Sequence, residues 1–97
     1  MKYEWDEEKN RQNIRKHGID FNLAKRLFEQ HVVTSLDTRS DYGEEREISI
    51  GMIDGVLFLT VVHTDRGLDV RRIISARKAT KQERKHYEKA LHSRFKY

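Results

Sequence analysis

Between positions 71 and 85 the chain carries Arg71, Arg72, Arg77, Lys78, Lys81, Arg84 and Lys85. Guanidinium groups stay charged and bind phosphate oxygens in pairs through a planar fork. So many cations in one place repel each other unless an anion is expected there. The chemistry they suit is charge stabilisation on a polyanion such as a phosphodiester. Arg46 supplies a further cation. His63 titrates near neutral pH without help, and the Tyr87 hydroxyl is a second candidate for proton transfer. Each choice has a plainer alternative. Arg72 and Arg77 suit a solvated sheet edge, Arg46 an ion pair with a nearby glutamate, His63 a packed and hydrogen-bonded ring, and Tyr87 an anchor between helix and sheet. Glu83 could act as a base, but its first role is helix capping.

The elements that must hold these groups are readable from patterning. Val70, Ile73 and Ile74 are β-branched and suit a strand. Thr80 and Glu83 form a T-x-x-E capping box that opens a helix from Lys81 to about Phe95, with Tyr87, Ala90, Leu91 and Phe95 on one stripe flanked by Glu83 and Arg94. The basic groups therefore sit at a strand-to-helix corner. Upstream, Lys2–Trp5 reads as a short strand. Asp6 caps a helix that runs to His17, with Gly18 as its C-terminal stop. That helix presents Asn10, Asn13, Ile14 and His17 on one face, an unusually polar set for a core. Asp20 caps a second helix, Phe21–Glu29, whose face is Phe21, Ala24, Leu27 and Phe28. Val32–Leu36 is a strand, and Asp37–Glu44 a polar loop.

Two further strands, Arg46–Ile53 and Val56–Thr64, flank Asp54-Gly55, a dipeptide that favours a type I′ hairpin. A two-residue turn would pair Ile53 with Val56, Met52 with Leu57, Ile50 with Leu59 and Ile48 with Val61, and would set Arg46 opposite His63. Asp65-Arg66-Gly67 is a second turn leading into Leu68–Ser75. Its length leaves open whether Arg71 or Arg72 faces the core. The expected fold is α+β, in the order β-α-α-β-β-β-β-α. A mostly antiparallel sheet is packed by two N-terminal helices and one C-terminal helix.

Ninety-seven residues make a single domain, 1–97. Charged residues make up 37% and hydrophobic ones 36%, so some apolar surface is expected to be completed by a partner chain. The formal charge is +4 and the sequence pI about 9.5, which favours nucleic acid or an acidic protein as partner. The absence of cysteine excludes disulfides and thiolate metal sites. No apolar run suggests a signal peptide or a membrane span, so a cytoplasmic protein is expected. His86 and His92 lack carboxylate clusters, and neither a metal nor a cofactor is expected. Glycine-rich phosphate loops and serine nucleophile elbows are absent from the sequence.

Two stretches resemble a known family. WDEEKNRQNIRKHGIDF is similar to the N-terminal signature of the BrnT toxins, W-D-x-x-K-x-x-x-N-x-x-K-H-G-[IV]-x-F. RIISARKATKQERKHY is similar to their C-terminal signature, R-I-I-S-A-R-x-A-x-x-x-E-R-x-x-Y. The hairpin between them resembles the family's middle segment. At His63 the chain departs from the pattern, which commonly has tyrosine there. The resemblance implies a RelE-like fold and a ribonuclease toxin of a bacterial type II toxin–antitoxin pair. Such a toxin inhibits translation and growth. It would be neutralised by a BrnA-type antitoxin and reach operator DNA only through the antitoxin complex. RNA would be cut without a metal: the 2′-OH attacks phosphorus, a phosphorane-like state forms and the 5′-oxygen leaves. On this reading Arg77, Arg72 and Arg46 clamp the phosphate, and His63 and Tyr87 move protons. Lys9, Arg66, Arg71, Lys78 and Arg84 bind the RNA. The alternative is a non-catalytic basic module that binds nucleic acid or docks an antitoxin.

Overall fold

The computed structural model describes residues 1–39 and 41–95. Its elements are β1 (Lys2–Glu4), α1 (Glu7–His17), α2 (Phe21–Ala24) continuing as a 3₁₀ helix over Lys25–Glu29, β2 (Val32–Leu36), β3 (Glu47–Ile53), β4 (Leu57–Arg66), β5 (Val70–Lys78) and α3 (Lys81–Phe95). The five strands form one sheet in the order β1-β5-β4-β3-β2, antiparallel except for the parallel β1–β5 pair. One face carries α1 and α2 over a core of Phe21, Ala24, Leu27, Ile53, Leu59, Val61, Ile73 and Ala76. The other receives α3, which packs across β2 and β3. The Arg94 and Phe95 side chains lie outside the described residues, so their expected place on the α3 stripe goes without a structural counterpart.

The expected second helix splits in two. Phe21, Ala24 and Leu27 are all fully buried. Their strict three-residue spacing lines up one above the other in a three-residue turn, which the 3₁₀ segment provides.

The hairpin also departs from expectation. Asp54 and Gly55 both have positive φ, 54° and 72°, and the Val56 N–H donates to the Ile53 carbonyl at 3.1 Å. The turn itself thus forms, but Val56 stays outside the ladder and is 82% exposed. Ile53 pairs with Leu57 instead, then Gly51 with Leu59, Ser49 with Val61 and Glu47 with His63. A slip of one residue exchanges the two faces of a strand. Packing decides the register: a Cβ on Gly51 would lie 2.9 Å from Leu27 Cδ1 and 3.1 Å from the His31 carbonyl. Only glycine lets the 3₁₀ segment approach the sheet this closely. Arg46 consequently does not oppose His63.

The polar face of α1 has a structural explanation. β1 covers only Val70, Arg71 and Arg72 of β5, leaving the rest of that edge without a strand. Asn13 takes its place. Its amide nitrogen donates to the Ala76 carbonyl at 2.8 Å and its oxygen accepts from the Ala76 N–H at 3.1 Å, as a neighbouring strand would. The same nitrogen donates to the Ile19 carbonyl at 2.8 Å. Asn10 fixes the α1–α2 corner by accepting from the Phe21 N–H at 2.9 Å and donating to Asp20 at 3.1 Å. Asn13→Ala would strand buried backbone groups, and we expect a loss of about 2–3 kcal/mol. Chemical denaturation checks this, and a change below about 0.5 kcal/mol would remove Asn13 from its edge-covering role.

Candidate nucleic-acid interface

The strand-to-helix corner is organised by one carboxylate. The predicted capping box forms: Thr80 N–H donates to Glu83 Oε1 at 2.9 Å, and Glu83 N–H donates to Thr80 Oγ1 at 3.1 Å. Glu83 Oε1 also accepts from Thr60 Oγ1 at 3.0 Å and from an Arg77 guanidinium nitrogen at 2.7 Å, and Oε2 accepts from Arg77 at 2.9 Å. Thr60 pairs with Arg77 across β4 and β5, so α3, β4 and β5 meet on this side chain. The Arg77 guanidinium holds the Glu83 carboxyl down at about 2, helped by the Thr80 and Thr60 donors. Glu83 in turn raises the Arg77 pKa. The Arg77 side chain is 31% exposed, so it stays within reach of a solute.

Other cations gather beside this pair. Arg84 lies over the Phe58 ring at 4.5 Å. With Lys78, Phe58 and Ala79 it lines a cavity of about 230 Å³. Arg39, in the β2–β3 loop, exerts a like-charge effect on Arg77. It is held by a bidentate pair with the buried Asp37 at 2.8 Å and 2.8 Å. That pairing drives the Asp37 carboxyl down to about 2.

The remaining arginines do not converge here. Arg72 donates to Glu4 at 2.8 Å, and Arg66 lies 3.6 Å from the same carboxylate. Arg72 and Arg77 share a sheet face because the β4–β5 register shifts at Val62/His63, but their partners Thr64 and Thr60 lie four positions apart on β4, which separates the two arginines by about 13 Å, so no single phosphate is gripped by both. Arg46 packs on the Tyr42 ring at 4.0 Å, with Glu44 at 3.9 Å. The three arginines expected to act together therefore do not converge: Arg77 stands apart from Arg72 and Arg46, with its own cationic surroundings. Arg71 faces the other side of the sheet, bonded to both Asp65 oxygens at 2.8 Å and 3.0 Å and stacked over Phe28 at 4.5 Å. This settles which of Arg71 and Arg72 faces the α1–α2 layer. Lys9 lies at the β5 edge, lining a cavity of about 220 Å³ with Lys16, His17, Ile74 and Ser75.

The two proton-transfer candidates are also placed. His63 is fully buried on the α1–α2 face, edge-on to Phe28, on the opposite side of the sheet from Arg77. Burial pushes its pKa down to about 4. His63 is thus an interior residue that the fold does not bring together with Arg77, and the packed, hydrogen-bonded alternative describes it. Tyr87 is buried against Phe58, and its hydroxyl donates to the His31 carbonyl at 3.3 Å. The anchoring alternative describes it.

The geometry can be set beside known proteins. Residues 5–83 match the family model described as the ribonuclease toxin, BrnT, of type II toxin–antitoxin systems. The chain belongs to the BrnT family. It is also similar to the ribonuclease toxin BrnT of Brucella abortus, solved at 1.1 Å resolution, with 31% identity and a TM-score of 0.62. That likeness covers 84% of this chain and 99% of the Brucella one. No curated protein sequence matches the chain. As members of type II toxin–antitoxin systems, BrnT toxins are paired with a protein antitoxin. Among the described residues, no helix is long and apolar enough to cross a membrane.

Sequence reasoning missed Thr60, Arg39 and Tyr42. The last two sit in a stretch read only as a polar loop, yet an arginine and a tyrosine there were signals that it folds back on the sheet. Glu83 yields a test. Its folded pKa is depressed, so its contribution to stability is present above its ordinary value of 4.5 and is lost as pH falls towards about 2. Thermal melts from neutral pH down to about pH 3 should fall more steeply for the native chain than for Glu83→Gln. Parallel curves would show that Glu83 is not held as described.

Proposed function

We propose that the chain is a ribonuclease toxin that cleaves RNA without a metal ion at the Arg77–Glu83 pair. The observation that carries this reading is the partly exposed, bidentate contact between them, with Lys78, Arg84 and Arg39 nearby, in a chain of the BrnT ribonuclease family. A substrate phosphate competes with Glu83 for the guanidinium. Arg77 then holds the non-bridging oxygens as charge builds in the phosphorane-like state. Glu83, no longer pinned by Arg77, regains basicity and takes the proton of the attacking 2′-OH. The P–O5′ bond breaks to leave a 2′,3′-cyclic phosphate, and the departing oxygen takes a proton from solvent water. Lys78 and Arg84 hold the flanking RNA backbone, while Lys9, Arg66 and Arg72 add to long-range attraction.

The wider reading follows from the family resemblance. The chain folds as one RelE-like domain, acts in the cytoplasm, slows translation and growth, and is neutralised by a BrnA-type antitoxin that carries any operator binding. A second reading has a specific observation behind it. Arg71, Arg72 and Arg77 all spend their charge on internal carboxylates, which suits a module that binds RNA or an antitoxin without cutting. One assay separates the two. Antitoxin-free protein mixed with bulk RNA in EDTA should cleave it, and Arg77→Ala should slow cleavage by about 10²–10³-fold. RNA that is bound but stays intact would establish the non-catalytic reading.

A further inference from the structure

Strand geometry assembles a second cluster on the sheet face away from Arg77. Glu47 is the cross-strand partner of His63. Asp65, two positions along β4, points to the same side as His63 because strand side chains alternate. One donor atom from each of the three lies within 4.8 Å of the others. The His63 ring is fixed from behind: Nε2 is 2.8 Å from Ser49 Oγ, which is 2.8 Å from Thr34 Oγ1. Nδ1 is buried and, among the described residues, has no hydrogen-bond partner. It stands 3.6 Å from Asp65 Oδ1. A fully buried ring nitrogen left without a partner calls for an explanation. A cavity of about 230 Å³, lined by Glu45, Glu47 and Asp65, opens onto the cluster.

We propose that Glu47, His63 and Asp65 form a binding site for a divalent transition-metal ion of the zinc or manganese class. An imidazole with one carboxylate on each side is a donor set such ions accept. Ser49 orients that ring through its other nitrogen, the usual support for a ligating histidine. Metal–ligand distances of about 2.0–2.2 Å require the two carboxylates to draw in slightly, and both belong to side chains reachable from solvent through the cavity. Arg71 opposes the ion, because it already bonds both Asp65 oxygens. Binding must share that carboxylate or displace the guanidinium. The site lies behind the sheet, so its occupancy is separable from RNA cleavage in EDTA.

The test is calorimetric titration of chelator-stripped, full-length protein with zinc chloride and with manganese chloride, each alone, alongside thermal melts. We expect saturable binding of one ion per chain by at least one of the two metals, with a raised melting temperature. Glu47→Gln should weaken that binding by about tenfold or more, and His63→Gln should abolish it. Should His63→Gln fail to fold, Glu47→Gln decides the matter alone. Absence of saturable binding of both metals overturns the proposal. So does Glu47→Gln protein that binds as tightly as the native chain, which would place the ion on other histidines.

Discussion

The Glu83 carboxylate is the point at which three elements are tied together. It caps α3 through Thr80, reaches Thr60 on β4 and grips Arg77 on β5. The helix and the two neighbouring strands β4 and β5 are held together because one anion accepts from all three. On the proposed mechanism, the same contact that orders the corner also holds its reactive groups in check. A carboxylate drawn so far down is a poor base, and a guanidinium so paired is a poor anion receptor, until a stronger anion separates them. Structure and chemistry thus compete for one pair of groups.

The sheet divides the molecule's polar chemistry into two compartments. In front, Arg77 and the α3 residue Arg84 stay accessible, with Lys78 at the end of β5 lining the cavity beside Arg84. Behind, His63 and Arg71 pack against Phe28, which stacks on Tyr3, with Glu47 and Asp65 beside them at a solvent-facing cavity. Asn13 makes this division stable from the side, since its amide stands in for a missing strand along β5. Without it the edge beside the basic corner would carry unpaired backbone groups, open to another chain.

Much of this order was legible in the residues. The T-x-x-E box, the Asp6 and Asp20 caps and the Asp54-Gly55 turn are local devices, and each formed where its chemistry demanded. The register of β3 on β4 was not legible, because a positive-φ turn fixes the reversal but not whether Val56 joins the ladder. That choice belongs to Leu27 meeting Gly51, a contact between residues 24 positions apart. The same slip parted Arg46 from His63, whose partner is Glu47. The arginines misled for a related reason. Sequence proximity grouped Arg71, Arg72 and Arg77, whereas strand alternation and rise scatter them over two faces and two ends. Their acidic partners, Asp65, Glu4 and Glu83, come from three different elements, and composition alone could not assign them.

On the proposed mechanism, a phosphate takes Arg77 away from Glu83. The most direct measurement is NMR observation of the Arg77 guanidinium and the Glu83 side-chain carboxyl carbon as a 2′-deoxy, uncleavable oligonucleotide is added. Both signals are expected to move together, and the Glu83 carboxyl to titrate closer to its ordinary range in the complex. Oligonucleotide binding that leaves both signals and the Glu83 titration unchanged would contradict it.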